Sequence, residues 1–178
     1  SSGEVLNTLT GHRCQVNTVA WEPSGTRIVS GSQDRTAKIW DTSSGQPILT
    51  IDAVSFDGRV RQTWSPDGER IADILQSTDR AYVWSANTGD RLLTIIHPTT
   101  LNGISWDSSG DRLATTGYND TQIHIWNASN GAIIATLETN IPLFAVEWSP
   151  DDTRLAAGST DNDAHIFDAT SGEELLTL

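Results

Sequence analysis

The sequence GHRCQVNTVAWEPSGTRIVSGSQDRTAKIWD, which spans residues 11–41, alternates short β-type runs with turn-forming residues. These runs are Val16–Trp21, Arg27–Ser30 and Ala37–Trp40, and Pro47–Ile51 follows as a fourth. Runs of about five residues separated by Gly, Pro, Ser and Asp are typical of an antiparallel meander. No segment of the chain shows sustained helical periodicity. The stretch therefore predicts one sheet of four short strands.

The same pattern recurs along the chain with a period of about 42 residues. Trp21, Trp64, Trp106 and Trp148 lie 43, 42 and 42 residues apart. A second aromatic residue follows each of them, at Trp40, Trp84, Trp126 and Phe167. A four-stranded sheet repeated at this length is a propeller blade. We therefore predict an all-β propeller with four blades of four antiparallel strands in this chain of 178 residues.

The repeats form a single predicted domain that covers residues 1–178. The predicted boundaries are an outer strand at about 1–9 and repeats at about 10–51, 52–96, 97–138 and 139–178. The two ends match, since residues 2–9 read SGEVLNTL and residues 171–178 read SGEELLTL. The sequence thus offers one more outer strand than four blades require.

Four short motifs make the first repeat resemble a unit of the WD-repeat family. They are Gly11-His12, Glu22-Pro23-Ser24-Gly25, Ser30-Gly31-Ser32-Gln33-Asp34 and Trp40-Asp41. The resemblance extends over essentially the whole chain. It implies a β-propeller whose repeats each contain a hydrogen-bonded tetrad of His, Ser or Thr, Asp and Trp. In the first repeat these residues would be His12, Ser30, Asp34 and Trp40.

The other repeats keep this tetrad unevenly. The third has His97, Asp120 and Trp126, with Thr116 as the assigned hydroxyl residue and Thr115 as its alternative. In the fourth, Thr139, Ala157 and Phe167 replace His, the hydroxyl residue and Trp. The second departs furthest, because Ser55 and Asp73 stand where His and Ser are expected. We expect the second blade to be the least regular.

Arg59 and Gln62 of the second repeat occupy positions where the other repeats carry apolar residues. A charge near the core needs a partner, and Asp73 is the natural one for Arg59. Alternatively the strand is shifted so that Val60 points inward, or Arg59 faces a ligand.

The number of blades predicts a second copy of the chain. A ring of four blades turns by about 90° per blade, whereas a ring of eight turns by about 45°. The wedge of a WD-like blade does not accommodate so large a change without voids or overpacking. We therefore predict an eight-bladed ring formed by a homodimer. In it, Val5–Leu9 either replaces Glu174–Leu178 in the partner's fourth blade or adds outside it.

Composition excludes some functions. The net charge of −12 argues against a nucleic-acid partner, and no apolar run is long enough to span a membrane. His124 and His165 lie in different repeats, so the sequence predicts no metal site; no catalytic group and no cofactor are predicted either. A single cysteine, Cys14, and no visible signal peptide favour a cytoplasmic location.

The expected function is therefore a non-catalytic scaffold that binds a protein or peptide. We label the four strands of each blade a to d in chain order, with d the outermost. The resemblance places the binding surface on the face formed by the loops that join strand d to strand a of the next blade and strand b to strand c. The residues expected there are Arg13, Gln15, Asn17, Phe56, Asp57, Arg61, Thr100, Asn102, Tyr118, Ile141, Pro142 and Phe144. The alternatives are a half-propeller fragment or designed assembly with a purely structural role and, less favoured, a propeller hydrolase or lyase.

Overall fold

A computed structural model describes residues 3–52, 60–75 and 78–178 of the protein. Four separate four-stranded antiparallel sheets make up this part of the chain, and each is one blade. Blade 1 contains β1 (Val16–Trp21), β2 (Arg27–Ser32), β3 (Thr36–Asp41) and β4 (Pro47–Asp52). Blade 2 contains β5 (Val60–Trp64), β6 (Arg70–Leu75), β7 (Arg80–Ser85) and β8 (Arg91–Ile96). The predicted strands of blade 1 thus lie within one or two residues of the observed ones.

The last two blades repeat this plan. Blade 3 contains β9 (Leu101–Trp106), β10 (Arg112–Gly117), β11 (Gln122–Asn127) and β12 (Ile133–Glu138). Blade 4 contains β13 (Leu143–Trp148), β14 (Arg154–Ser159), β15 (Ala164–Asp168) and β16 (Glu174–Thr177). No helix long and apolar enough to cross a membrane occurs in the described part of the chain. The prediction of an all-β fold of four-stranded blades is confirmed.

The turn between the first two strands shows why the sequence folds into this hairpin. Gly25 has a φ of 77° in blade 1, a left-handed conformation that glycine adopts without steric cost. Asp152 takes the same place in blade 4 with a φ of 59°. The Asp152 carboxylate accepts from Ser108 N of blade 3 at 2.7 Å, and Asp151 supports the turn by accepting from Thr153 N at 3.1 Å.

The core lies between successive blades rather than inside any one of them. Val29, Ile39 and Ile51 of blade 1 are buried against Trp64 and Ile71 of blade 2. The same arrangement joins blade 2 to blade 3 and blade 3 to blade 4. Every blade therefore has one face that packs on the preceding blade, which we call its leading face, and one that packs on the following blade, its trailing face.

At each of these three junctions an arginine of one blade stacks on a tryptophan of the next. The first residue of strand b places its guanidinium over the tryptophan that ends strand a of the next blade. The three pairs are Arg27 with Trp64 at 5.0 Å, Arg70 with Trp106 at 4.8 Å and Arg112 with Trp148 at 4.4 Å. Such cation–π contacts add electrostatic attraction to the apolar packing.

The two ends of the array differ from the prediction in one respect. Residues 5–9 do not form the predicted strand, and Asn7 Nδ2 instead donates to Thr42 O at 3.1 Å. In the single chain β16 pairs with β15 and is the outer strand of blade 4, whereas the pairing predicted for residues 5–9 is with a second copy of the chain. The leading face of blade 1 stays largely open, since Val19 and Trp21 are 70% and 62% exposed. Trp64, the equivalent of Trp21, is 6% exposed.

Candidate functional site

The loops before strand a and between strands b and c form one surface of the blades, which we call the top surface. Backbone hydrogen bonds join these loops within and between blades. Tyr118 N donates to Thr100 O at 2.6 Å within blade 3. Leu143 N of blade 4 donates to Asp120 O of blade 3 at 3.1 Å, and Thr160 N donates to Pro142 O at 3.2 Å. The turn that carries Tyr118 therefore abuts the loop that enters blade 4.

The predicted binding residues of the top surface fall into distinct groups. Tyr118 and Phe144 are exposed by 57% and 43%, and Ile141 and Pro142 beside them are half-buried. Thr100 and Asn102 are half-buried, and the amide nitrogen of Asn102 has no hydrogen-bond partner among the described residues.

Blade 1 contributes a separate group. Arg13 and Gln15 are exposed, and Asn17 is half-buried. Phe56, Asp57 and Arg59 lie outside the described residues, as does the side chain of Arg61. The described aromatic residues of this surface thus gather at the junction of blades 3 and 4.

The predicted tetrad residues of blade 1 form one connected chain of hydrogen bonds. His12 Nδ1 lies 2.9 Å from Asp34 Oδ2, and His12 Nε2 lies 2.7 Å from Ser30 Oγ. Trp40 Nε1 donates to the same Ser30 Oγ at 2.8 Å. Burial acts to raise the pKa of Asp34, but hydrogen bonds from Thr36, Arg13 and His12 hold that pKa well below its usual range. The loop before β1 is thereby fixed to the turn between β2 and β3.

Blade 3 corrects the assignment of the hydroxyl residue. Trp126 Nε1 donates to Thr115 Oγ1 at 2.8 Å, so Thr115 and not Thr116 is the equivalent of Ser30. The register explains this, because Leu113 pairs with Trp126 and side chains two residues apart share a face of the sheet. Thr116 Oγ1 points to the opposite face, close to Gly103, and has no hydrogen-bond partner among the described residues.

His97 also differs from His12, because its hydroxyl contact is with Thr99 Oγ1 at 3.3 Å and not with Thr115, the tetrad hydroxyl of blade 3. Its Nδ1 lies 3.1 Å from both the nitrogen and the oxygen of the Thr99 backbone. Its ring instead meets His124 of strand β11 edge to face, with centroids 4.6 Å apart. Burial, and secondarily the neighbouring His124, lowers the pKa of His97 to about 4.

His97, Asp120 and His124 therefore form a buried cluster in blade 3. One side-chain atom of each lies within 4.8 Å of the others, and all three residues are buried. His124 Nε2 lies 3.5 Å from Asp120 Oδ2, and neither His97 Nε2 nor His124 Nε2 has a hydrogen-bond partner in the described part of the chain. The sequence predicts no metal site because His124 and His165 lie in different repeats. The occurrence of both His97 and His124 in the third repeat is the sequence signal for this cluster.

Two further ionisable groups, one in blade 2 and one in blade 4, stand at positions equivalent to residues of the blade 1 tetrad or of the blade 3 cluster. Asp73 of blade 2 stands at the position of Ser30 and is 2% exposed, and its burial raises its pKa to about 7. His165 of blade 4 lies 2.9 Å from Glu174 Oε1 and 3.0 Å from Asp161 Oδ2. The hydrogen bond to Glu174 raises the pKa of His165. Neither group belongs to a complete tetrad.

The inner strands of the four blades enclose a central cleft of about 470 Å³. Its lining residues are Asn17, Thr18, Val19, Gln62, Thr63, Ile104 and Glu147. Glu147 is the one titratable side chain among these described residues.

Comparison with protein families fits this geometry. A family model described as "WD domain, G-beta repeat" matches residues 3–41, and one described as "Eukaryotic translation initiation factor eIF2A" matches residues 57–171. The two matches together cover most of the described blades. The chain belongs to the WD-repeat β-propeller family. The WD-repeat match contains the tetrad of blade 1, which is the most complete of the four.

Named relatives of this WD-repeat chain match over about half of its length. Actin-interacting protein 1 of Drosophila melanogaster is 31% identical over 87 residues, which are 48% of this chain and 14% of that protein. The ribosome biogenesis protein BOP1 homologues of Drosophila persimilis and Drosophila grimshawi are 34% and 35% identical over 83 residues, which are 47% of this chain and 10% of theirs. The matched region is thus a small part of each of these curated relatives.

Proposed function

We propose that this WD-repeat chain is a non-catalytic module that binds a protein or peptide on its top surface, at the junction of blades 3 and 4. The observation that carries the proposal is the pair of exposed aromatic side chains there, Tyr118 and Phe144. Aromatic residues are the usual anchors of binding surfaces, because they bury much apolar area with few rotatable bonds.

The backbone around these two residues supports the proposal. The hydrogen bond from Leu143 N to Asp120 O holds the two loops against each other across the blade junction. Ile141 and Pro142 lie between them and are half-buried. A rigid apolar surface loses less conformational entropy when a partner binds than a mobile loop does.

Charge and relatives indicate the kind of partner. A net charge of −12 attracts basic segments and repels nucleic-acid phosphates. Actin-interacting protein 1 is named for interacting with another protein. We therefore propose a basic peptide segment with an apolar anchor as the ligand of this surface.

Removing both aromatic side chains is expected to abolish most of this binding. Peptides selected against the wild-type chain from a displayed random library should be enriched in Lys and Arg. Their affinity for a Tyr118→Ala, Phe144→Ala double variant should fall by about 30-fold or more, as expected for lost anchors. Isothermal titration calorimetry measures this change. Leu92→Ala, which truncates a comparably exposed side chain on β8, is the matched control and should bind normally. Equal affinity of the double variant would contradict the proposed surface.

We also propose that a second copy of the chain completes the ring. Ile166 and Leu176 of blade 4 occupy the places that Ile39 and Leu49 hold in blade 1. Ile39 is fully buried against blade 2, whereas Leu176 is 49% exposed. The trailing face of blade 4 is therefore open, as is the leading face of blade 1. These are the two surface types that pack together at the three junctions within the chain.

The arginine–tryptophan pairs support the same assembly. Arg27, Arg70 and Arg112 each stack on the tryptophan of the next blade. Arg154, the fourth arginine of this series, is exposed, and so is Trp21, the first tryptophan. In the proposed dimer, Arg154 of each copy stacks on Trp21 of the other, which completes the series around the ring.

Light scattering tests the dimer directly. The wild-type chain is expected at twice its monomer mass of 19.3 kDa. Leu176→Asp places a charge in the proposed interface and should give a monomer, whereas Leu92→Asp on β8 should leave the dimer intact. A wild-type monomer at micromolar concentration would contradict ring closure by a second copy. If the chain is a dimer but no binding peptide can be selected against it, that result would support a purely structural role instead.

A further inference from the structure

We propose that His97, Asp120 and His124 bind one Zn²⁺ ion inside blade 3. The site joins three elements of the blade, because His97 precedes β9, Asp120 lies in the turn between β10 and β11, and His124 lies within β11. Two imidazoles and one carboxylate are a common set of zinc ligands, and a water molecule fills the remaining tetrahedral position.

The spacing of the ligand atoms suits a shared ion. Two ligand atoms that hold one zinc ion at about 2.1 Å lie roughly 3.4 Å apart in tetrahedral geometry. His124 Nε2 and Asp120 Oδ2 are already 3.5 Å apart. One ligand atom of each of the three residues lies within 4.8 Å of the others, a separation that modest side-chain adjustments reduce to the spacing around one ion.

The unpartnered nitrogens are the independent observation that points to a ligand. His97 is 2% exposed and His124 is 3% exposed, yet Nε2 of each lacks a hydrogen-bond partner among the described residues. Buried polar atoms are nearly always satisfied, because leaving one unpaired costs free energy. A zinc ion coordinated by both Nε2 atoms satisfies both of them.

Neighbouring groups hold the ligands in the required orientation. A histidine that binds zinc through Nε2 donates its Nδ1 proton to a nearby acceptor. His97 Nδ1 lies 3.1 Å from both Thr99 O and Thr99 N, so zinc at Nε2 requires the tautomer in which the Nδ1 proton is donated to Thr99 O. His124 Nδ1 lies 3.3 Å from Thr136 Oγ1. Asp120 Oδ2 accepts from Thr99 Oγ1 at 3.1 Å, and its Oδ1 accepts from Gln122 N at 3.1 Å.

Blades 1 and 4 do not carry both histidines of this cluster. Blade 1 has Lys38 at the position of His124, and its histidine, His12, is fully engaged by Asp34 and Ser30. Blade 4 has His165 in that position but Thr139 where His97 stands in blade 3. Zinc binding is therefore a property of blade 3, where it ties the top-surface loops to the sheet beneath them.

Calorimetric titration of the chelator-treated full chain with Zn²⁺ tests the site. We expect one equivalent bound per chain and an affinity at least about tenfold lower in His97→Gln and in His124→Gln. His165→Gln and Cys14→Ser should bind like the wild type, because they remove a buried histidine of another blade and an exposed thiol. No saturable binding of one equivalent, or binding that neither blade 3 variant weakens, would overturn the proposal.

A second measurement uses the wild-type chain alone and does not depend on the variants folding. Co²⁺ in a four-coordinate site of nitrogen and oxygen ligands absorbs visible light far more strongly than six-coordinate Co²⁺. We expect such a spectrum to appear with one equivalent of Co²⁺ and to vanish when Zn²⁺ is added. A weak six-coordinate spectrum, or one that Zn²⁺ does not displace, would contradict the site.

Discussion

Replacing Asp73 by Asn is expected to stabilise the protein by about 4 kcal/mol at pH 8 and to change its stability little near pH 4. Asp73 is 2% exposed in β6, and its Oδ1 has no hydrogen-bond partner among the described residues. Burial disfavours the ionised carboxylate and raises the pKa of Asp73 from its ordinary value of 3.8 to about 7. An amide of the same shape avoids the buried charge.

The sign of the pH dependence follows from proton binding. Between pH 3.8 and about pH 7 the folded protein holds a proton on Asp73 that the unfolded chain has released. The stability that this group contributes is therefore fully present below pH 3.8 and is lost as the pH rises through about 7. Urea unfolding of the wild type and of Asp73→Asn at several pH values measures the difference between their free energies of unfolding.

Asp163→Asn is the matched control for this series, because Asp163 is exposed and its substitution removes no buried charge. The experiment also bears on the predicted pairing of Asp73 with Arg59, which lies outside the described residues. If a cation neutralises Asp73, its replacement by Asn will destabilise the protein at pH 8. That result would refute the raised pKa and favour the pair.

Replacing Asp34 by Ala is expected to lower the free energy of unfolding by about 3 kcal/mol. The Asp34 carboxylate accepts hydrogen bonds from Arg13 N at 2.8 Å, from Thr36 Oγ1 at 2.7 Å and from Thr36 N at 3.0 Å. It also lies 2.9 Å from His12 Nδ1. Its removal leaves donors of the half-buried Thr36 and His12 without this partner, and the loop before β1 loses its hydrogen bonds to the Asp34 carboxylate.

The same substitution at Asp161 provides the comparison, since Asp161 holds the corresponding turn position in blade 4. Its blade has Thr139, Ala157 and Phe167 in place of the other tetrad residues, and Asp161 is exposed. Asp161→Ala should therefore lower the free energy of unfolding clearly less than Asp34→Ala does. Thermal or urea unfolding of both variants measures how much stability each of them loses relative to the wild type. Equal losses would mean that the tetrad of blade 1 adds nothing beyond the turn itself.

The blade plan was predictable because each repeat encodes it locally. Trp21, Trp64, Trp106 and Trp148 mark the end of strand a in every blade, and turn-forming residues follow each of them. Local turn chemistry and alternating burial then determine the strands, as they do in other antiparallel meanders.

Features that depend on a neighbour or on side-chain direction were harder to predict. Residues 5–9 read like an outer strand, but their predicted pairing is with a second copy of the chain, and within one chain β16 is the outer strand of blade 4. Thr115 and Thr116 are adjacent in sequence, and only the register with Trp126 tells which one faces the indole. The approach of His97 to His124 likewise depends on a ring orientation that differs from that of His12.

The junctions between blades also bear on how many copies of the chain can assemble. A contact between the trailing face of blade 4 and the leading face of blade 1 is head-to-tail, so it joins unlike surfaces and does not by itself stop at two copies. The angle between successive blades determines whether the second junction closes or further copies keep adding. In the proposed assembly, a change in that angle, for instance through an altered Trp148 contact, therefore decides between a closed ring and an open helical filament.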